Sequence, residues 1–358
     1  VVLNNVLTST STVYALDALS GHEKWSLQIE GFIGHSPVVA NSILYVVSDN
    51  LIDAENTMYA LDTLSGHEQW SLQIWSTFPP TVVNDTVYLS SGNTLDALDA
   101  RTGAKKWVEQ MGVLAGASPI VANGLVYVAS AMNDTSTHVI ISALDAASGQ
   151  TKWSYQTETP IMAPFAMVNN TMYVETHENA GTLYALDALT GHQMWSFQIG
   201  VLVINIAPTL SDGQVYLCDD SGELRALNAL TGRQMWSFQP DAFFSAYPTI
   251  VNNLVYVAAS HRRMYALDTS GHMKWSQQID YAAGSFDFPP PTVVVVHGIV
   301  YGNTSDGELY ALNAQSGHQQ WSYQTHGYAS ATPTVVNHVA YVISGDTLDA
   351  IQLPETAS

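Results

Sequence analysis

The chain has 358 residues, of which 47% are hydrophobic and only 11% charged, and its 31 acids against 10 bases leave a formal net charge of −21. That balance argues against nucleic acid or an anionic membrane surface as a partner, and no apolar run approaches the ~18 residues of a membrane-spanning helix. A single cysteine, Cys218, permits no intrachain disulfide, and its place in an apolar strand predicts a buried, inert thiol.

From the N-terminus onward one text recurs: Ala-Leu-[Asp/Asn], a short interval, [Ser/Thr]-Gly, three residues, Trp. Residues 1–27 already read as most of one unit, ending in Trp25, and further copies end in Trp70, Trp107, Trp153, Trp195, Trp236, Trp275 and Trp321. A period of about 40 residues marks a repeat architecture. Residues 208–238 show what one unit contains. Pro208 opens a first apolar strand, Val215–Leu217 is a second, Leu224–Leu227 a third and Met235–Phe238 a fourth. Each is short and rich in Val, Leu, Tyr or Trp, with turn residues such as Ser221-Gly222 and Thr231-Gly232 between them. No unit holds a stretch of 10–12 residues with helical periodicity, so helical repeats fit poorly.

Two further markers keep the same period. A proline opens each first strand (Pro37, Pro80, Pro119, Pro164, Pro208, Pro248, Pro291, Pro333), and a tyrosine follows in each second strand (Tyr45, Tyr88, Tyr127, Tyr173, Tyr216, Tyr256, Tyr301, Tyr341). The last unit, residues 331–352, supplies three strands and lacks the Trp-bearing fourth. The expectation is an all-β chain, a β-propeller of four-stranded antiparallel blades forming one domain over residues 1–358. Eight Trp motifs and nine blade-like units favour a nine-bladed ring on strand count. In the eight-bladed alternatives the last blade borrows the strand around Trp25, or residues 331–352 are left over.

The recurring residues read as a clasp between blades. The Asp or Asn after Ala-Leu (Asp17, Asp62, Asp99, Asp145, Asp187, Asn228, Asp268, Asn313) can accept turn N–H groups. The turn glycine can take positive φ, the alanine leaves room for a neighbour, and the tryptophan can lie across the gap onto the turn. Residues used this way are structural, so function is sought between the copies.

The text Leu-Tyr-Ala-Leu-Asp-Ala-Leu-Thr-Gly-His-Gln-Met-Trp-Ser-Phe at 183–197 resembles the repeat of the PQQ-like β-propellers, and the likeness runs through essentially the whole chain. The resemblance implies a propeller whose Trp motifs lock adjacent blades. That superfamily includes quinoprotein alcohol dehydrogenases, with pyrroloquinoline quinone and calcium, and non-enzymatic members such as BamB-like and scaffold propellers. The dehydrogenases commonly use a pair of adjacent cysteines against the quinone, and one cysteine cannot supply it. Residues just before the first-strand prolines (Ser36, Pro79, Ser118, Ala163, Ala207, Tyr247, Pro290, Thr332) include no charge and no histidine, so no cofactor is expected.

Metal chemistry is not expected either. His22, His67, His192, His272 and His318 follow the turn glycine, which puts neighbouring copies on the order of 15 Å apart, too far to share an ion held at ~2.1 Å. The oxygen-rich turns 49–55 and 175–178 lack a calcium-loop spacing. Four Asn-x-Ser/Thr triplets, at Asn84, Asn133, Asn169 and Asn303, carry little information in a turn-rich chain. No Gly-x-Ser-x-Gly, Walker, Rossmann or His-Glu-x-x-His motif is present.

The connections from each Trp strand to the next first strand vary most. They carry Phe32, Trp75, Phe78, Phe243, Phe244, Tyr247, Tyr281, Phe286, Phe288 and Tyr328, along with the apolar run 201–206. An aromatic loop face of this kind suits a peptide, a protein or a sugar. The same side chains could instead fold inward and seal the blades. The expectation is a non-catalytic binding or scaffold propeller outside the cytoplasm, taking an unidentified protein or peptide partner. The alternatives are a quinoprotein-type oxidoreductase relative and a glycan-binding propeller.

Overall fold

The structure is a computed structural model and describes residues 2–5, 9–17, 20–49, 56–76, 78–114, 118–131, 139–157, 165–176, 181–200, 208–219, 222–240, 244, 247–260, 263–279, 293–304, 306–325, 332–344 and 347–354. Among them there are strands and turns but no helix. One complete unit shows how the text folds. Thr81–Val83, Thr86–Ser91, Thr94–Asp99 and Lys105–Gln110 pair in sequence order as an antiparallel sheet. The first turn is a tight two-residue hairpin with positive φ at both Asn84 and Asp85 (46° and 53°), a geometry these residue types tolerate.

Burial divides the strands by role. All six residues of the second strand Ile43–Ser48 are buried, as are those of Leu254–Ala259. That is the mark of a strand covered on both faces by neighbouring sheets. The fourth strands alternate instead, as in Lys105–Gln110, because they form the solvated outer edge.

The described residues form nine separate sheets. Seven contain the full set of four strands, and one of these carries an extra strand, Val113–Leu114, paired with Leu125–Ala131. The first sheet has three strands, Val2–Asn5, Thr10–Leu16 and Glu23–Glu30; the last has Thr334–Val336, Val339–Ser344 and Thr347–Gln352. The strand with Trp25 pairs with Thr10–Leu16 inside its own sheet. The chain forms two compact units, Val1–Thr176 with Leu186–Gln193, and His177–Ala185 with Met194–Ser358.

The clasp has a definite geometry. Ala97 of the third strand pairs with Trp107 of the fourth, and the register shifts directly after it. The same pairing and shift recur at Ala60 with Trp70 and at Ala311 with Trp321. The indole then reaches the following sheet. A Cβ added to Gly103 would lie 2.8 Å from Trp70 Cδ2, and Gly66, Gly149, Gly191, Gly232, Gly271 and Gly317 are covered in the same way by Trp25, Trp107, Trp153, Trp195, Trp236 and Trp275. Among the described residues no tryptophan covers Gly21.

Two donors secure four of these joints. The carbonyl of Ala100 accepts from Trp70 Nε1 and from the Tyr45 hydroxyl, both at 3.0 Å. The carbonyls of Ala146, Ala188 and Ala314 receive the same pair from Trp107 and Tyr88, Trp153 and Tyr127, and Trp275 and Tyr256. Burial pushes Tyr45 and Tyr256 up to about 12, so both hydroxyls stay protonated and donating at ordinary pH. The Asp268 turn is one residue shorter than the others, with Gly271 N–H bonding back to the Asp268 carbonyl. There Trp236 still reaches the Thr269 carbonyl at 2.8 Å, while the buried Tyr216 hydroxyl finds no partner.

Inside each turn the carboxylate acts as the cap expected of it. Asp99 Oδ1 accepts from the N–H groups of Arg101 and Thr102 at 3.2 and 3.0 Å and from the Thr102 hydroxyl at 2.8 Å. Hydrogen bonds from Ser65, Thr102, Ser148 and Thr190 hold Asp62, Asp99, Asp145 and Asp187 below the usual carboxylate range. The Lys274 ammonium beside Asp268, with two turn N–H groups, lowers that group to about 2.

Two predictions follow from the clasp. Gly103 and Gly124 both have positive φ, near 70°, but only Gly103 lies under an indole. The replacement Gly103→Ala therefore carries an overpacking cost that Gly124→Ala does not, roughly 1–3 kcal/mol, read as the difference in their urea midpoints. The second concerns acid. A carboxylate held below its unfolded value of about 3.9 contributes stability that is complete above that pH and is lost as pH falls through the folded value. The five turn aspartates should make stability fall between about pH 4 and pH 2. Asp→Asn at all five, the residue already present at 228 and 313, should flatten that limb in urea melts taken across the range.

Candidate partner-binding site

The described part of the aromatic loop face is best defined in the first unit, where two connections meet. Gly31, with φ of 87°, turns the chain out of the first Trp strand. Phe32 then pairs with Asp49 in an isolated bridge, the two backbone N–H groups donating to the opposite carbonyls at 2.9 and 2.6 Å. Ser11 Oγ donates to the Gly31 carbonyl at 2.8 Å and accepts from Ile33 N–H at 3.1 Å, and Ile33 is buried beneath. The first connection is thereby pinned at its base, with His35 exposed at its crest.

The second connection is pinned as firmly. Trp75 N–H donates to Ser91 Oγ at 3.1 Å, and Gly92 N–H donates to the Trp75 carbonyl at 3.1 Å. Asn56, itself buried, donates to the Ser76 carbonyl at 3.1 Å. Ser118 Oγ donates to the Pro79 carbonyl at 2.8 Å, which ties this loop to the next one. The result is an indole on a fixed backbone that nevertheless stands 64% exposed.

The two connections touch through rings. His35 and Phe78 lie with centroids 5.4 Å apart and planes 36° apart. Asp49 lies against the same loop, and a Cβ at Gly34 would meet its Oδ2 at 3.1 Å. Its other oxygen, Oδ1, is buried with no hydrogen-bond partner. Burial raises the Asp49 pKa, and the charge of His35 opposes the rise. Phe32, Trp75 and Phe78 therefore stand on two pinned connections that meet at the His35–Phe78 ring pair, with the Asp49 carboxylate held against the first of them.

The structure sorts the remaining sequence candidates. Phe244 is a correction: it is 1% exposed, its backbone bridges Ala259, and its ring packs among Tyr216, Cys218, Val255 and Val257. Burial in that cluster takes it out of any partner surface. Tyr247 is 37% exposed and stands immediately before Pro248. Phe243, Tyr281, Phe286, Phe288 and Tyr328 lie outside the described residues, as does the run 201–206. His35 and Asp49 had not been singled out as partners of these aromatics. The signal for His35 was its position, in a strand connection rather than after a turn glycine, where His22, His67, His192, His272 and His318 all stand exposed.

Cys218 is buried at 3% exposure and is in no disulfide. Asn303 is fully buried, so its glycosylation triplet is closed to modification in the folded state. Among the described residues no three His, Cys, Asp or Glu side chains converge as a metal site would require. Of the residues preceding the first-strand prolines, Ser36, Pro79, Ser118, Tyr247 and Thr332 are described and none carries charge. That donor set does not suit a tricarboxylate quinone with calcium, which needs converging bases and acids.

Comparison with known proteins places the chain. A family model described as outer membrane protein assembly factor BamB matches residues 4–80, 75–200, 136–242 and 179–355. The chain belongs to the BamB family. BamB of Moranella endobia (strain PCIT) is 24% identical to it over 291 residues, which are 75% of this chain and 72% of that protein. The serine/threonine-protein kinase AfsK of Streptomyces griseus is 32% identical over 126 residues, but the match spans 32% of this chain and only 15% of the kinase. Among solved structures, BamB from Moraxella catarrhalis superposes with a TM-score of 0.63 at 21% identity, covering 87% of this chain and 94% of its own. A europium-containing methanol dehydrogenase gives 0.60 at 13%, covering 86% and 81%. The quinohemoprotein alcohol dehydrogenase of Comamonas testosteroni gives 0.60 at 16%, covering 95% and 73%. At such identities the structural likeness establishes the β-propeller fold and leaves activity to the BamB-family side chains.

Proposed function

We propose that the chain is a non-catalytic binding propeller that works outside the cytoplasm and holds a protein or peptide partner through its aromatic strand connections. The observation that carries this reading is Trp75, whose backbone is fixed by Ser91 and Gly92 while its indole stays 64% exposed. A large exposed aromatic on a rigid base binds at low entropic cost, which is why tryptophan dominates interface energetics. The partner it suits presents an apolar side chain to Trp75 and Phe78.

Family membership supports the same direction. The matching family and the Moranella endobia relative are described as outer membrane protein assembly factor BamB, so a partner in outer-membrane protein assembly is the first to test. The quinoprotein neighbours share the fold, but the uncharged pre-proline residues give a quinone little to hold.

A photo-crosslinking residue in place of Trp75 should trap a discrete partner in envelope preparations, whereas one in place of Val39, equally exposed at 65%, should not. Trp75→Ala should weaken capture about tenfold or more with an unchanged melting temperature. Equal capture by wild type and Trp75→Ala would overturn the reading. So would saturable binding of pyrroloquinoline quinone and calcium with dye-linked alcohol oxidation.

A further inference from the structure

One joint between neighbouring sheets departs from the others. The sheet holding Leu224–Asn228 and Gln234–Phe238 packs against the sheet holding Leu254–Ala259 and Arg263–Asp268, and Trp236 reaches the turn that follows Asp268. That turn reads Asp268-Thr269-Ser270-Gly271, whereas the turn at 62–66 reads Asp-Thr-Leu-Ser-Gly. With the missing residue go three hydrogen bonds.

The first crosses the joint. Tyr45, Tyr88, Tyr127 and Tyr256 each donate to a turn carbonyl of the next sheet at 3.0–3.2 Å, but the buried Tyr216 hydroxyl has no partner. The second ties the turn to its own sheet's first hairpin. Thr63 N–H donates to the Ser42 carbonyl at 3.0 Å, and Ala100, Ala146, Ala188, Ala229 and Ala314 do the equivalent in their turns. Among the described residues Thr269 N–H makes no such bond. The third lies inside the turn. In all seven other turns the Ser or Thr hydroxyl donates to the cap, as Ser65 Oγ does to Asp62 at 2.8 Å. Ser270 donates to Asp268 through its N–H alone.

The geometry records the change. Gly271 has φ of 86°, against 69–76° at the other seven turn glycines. The Tyr216 and Trp236 rings cross at 62°, where four complete joints lie between 49° and 55°. The Lys274 ammonium, 2.8 Å from Asp268, belongs to the same sheet as Asp268 and does not hold the joint. What closes it is Trp236 Nε1 on the Thr269 carbonyl at 2.8 Å and an apolar cluster in which Tyr216, Cys218 and Phe244 meet Val255 and Val257. A buried hydroxyl without a partner is desolvated for no return and regains water when the joint opens.

We propose that this joint is a hinge: the two sheets part here by local opening, ahead of the joints that keep the tyrosine bond, and uncover Tyr216, Cys218 and Phe244. Proteins open in local cooperative units well below the cost of global unfolding, and the unit with the fewest bonds across its boundary opens first. The open form presents Phe244, the strand-connection aromatic that the closed joint buries.

Cys218, the one cysteine of the chain, reports the opening. Its labelling by a maleimide is followed by intact mass at neutral pH, with each rate normalised to that of the same protein unfolded in urea. The rate should not change with urea below the unfolding transition, because a local opening exposes little surface. Ala258→Cys in a Cys218→Ala background puts a thiol two residues after Tyr256, as Cys218 follows Tyr216, in a joint closed by both donors. That thiol should label about tenfold more slowly or less. Inserting a leucine between Thr269 and Ser270 restores the text of 62–66 and should slow Cys218 labelling by a similar factor. Equal rates at the two thiol positions would overturn the proposal, and so would a Cys218 rate that rises with urea along the global unfolding curve. A folded insertion variant with an unchanged rate would overturn it too. The comparison of the two thiols decides the matter even where the insertion prevents folding.

Discussion

The fold depends on one contact made again and again: an indole from one sheet laid on the turn glycine of the next, its Nε1 bonded to a turn carbonyl. A single blade is a small sheet that cannot bury both of its faces. The clasp sets how the next sheet is placed against it, and the second and third strands bury themselves between neighbours as a result. Glycine is required because a methyl group at Gly103 would collide with the Trp70 ring, and alanine at the paired third-strand position keeps the fourth-strand indole close to its own sheet. Tyrosine adds a second donor to the same carbonyl, and burial keeps it protonated. The short Asp268 turn shows how tightly this is tuned, since the loss of one residue leaves the Tyr216 hydroxyl unbonded.

The same contact explains why the recurring residues are poor candidates for chemistry. The turn aspartates spend their oxygens on N–H groups and hydroxyls within their own loop. Seven of the repeat tryptophans are committed to neighbouring glycines. The histidines beside those glycines are solvated and belong to separate blades. Freedom to vary is left in the strand connections, where the scaffold supplies anchoring hydrogen bonds and the side chains have no structural duty. Trp75 and Phe244 are the two outcomes of that freedom. One stands on a pinned backbone in solvent, and the other turned inward to fill space beside Cys218 and Val257.

Much of this was legible before any coordinates. The Trp period, the proline and tyrosine markers and the strand text of residues 208–238 led to four-stranded antiparallel sheets, and those strands appear as Thr209–Ser211, Gln214–Cys218, Leu224–Asn228 and Gln234–Phe238. The three strands read in residues 331–352 appear as the described last sheet. The aromatic loop residues were legible only as a list. Phe244 and Trp75 occupy comparable connections, and nothing in their local sequence distinguishes a buried ring from an exposed one.

The sequence by itself determined the repeat, the blade and the clasp, because these rest on local chemistry repeated at a fixed period: a turn cap, a positive-φ glycine and alternating apolar strands. Only the tertiary structure decided which variable side chains are accessible, that His35 meets Phe78 across two loops, and that Asp49 keeps an unbonded oxygen. The physical reason is range. A turn or a strand is settled by a few neighbours in sequence, whereas exposure and unmet hydrogen bonds depend on what residues some 40 positions away bring to the same place.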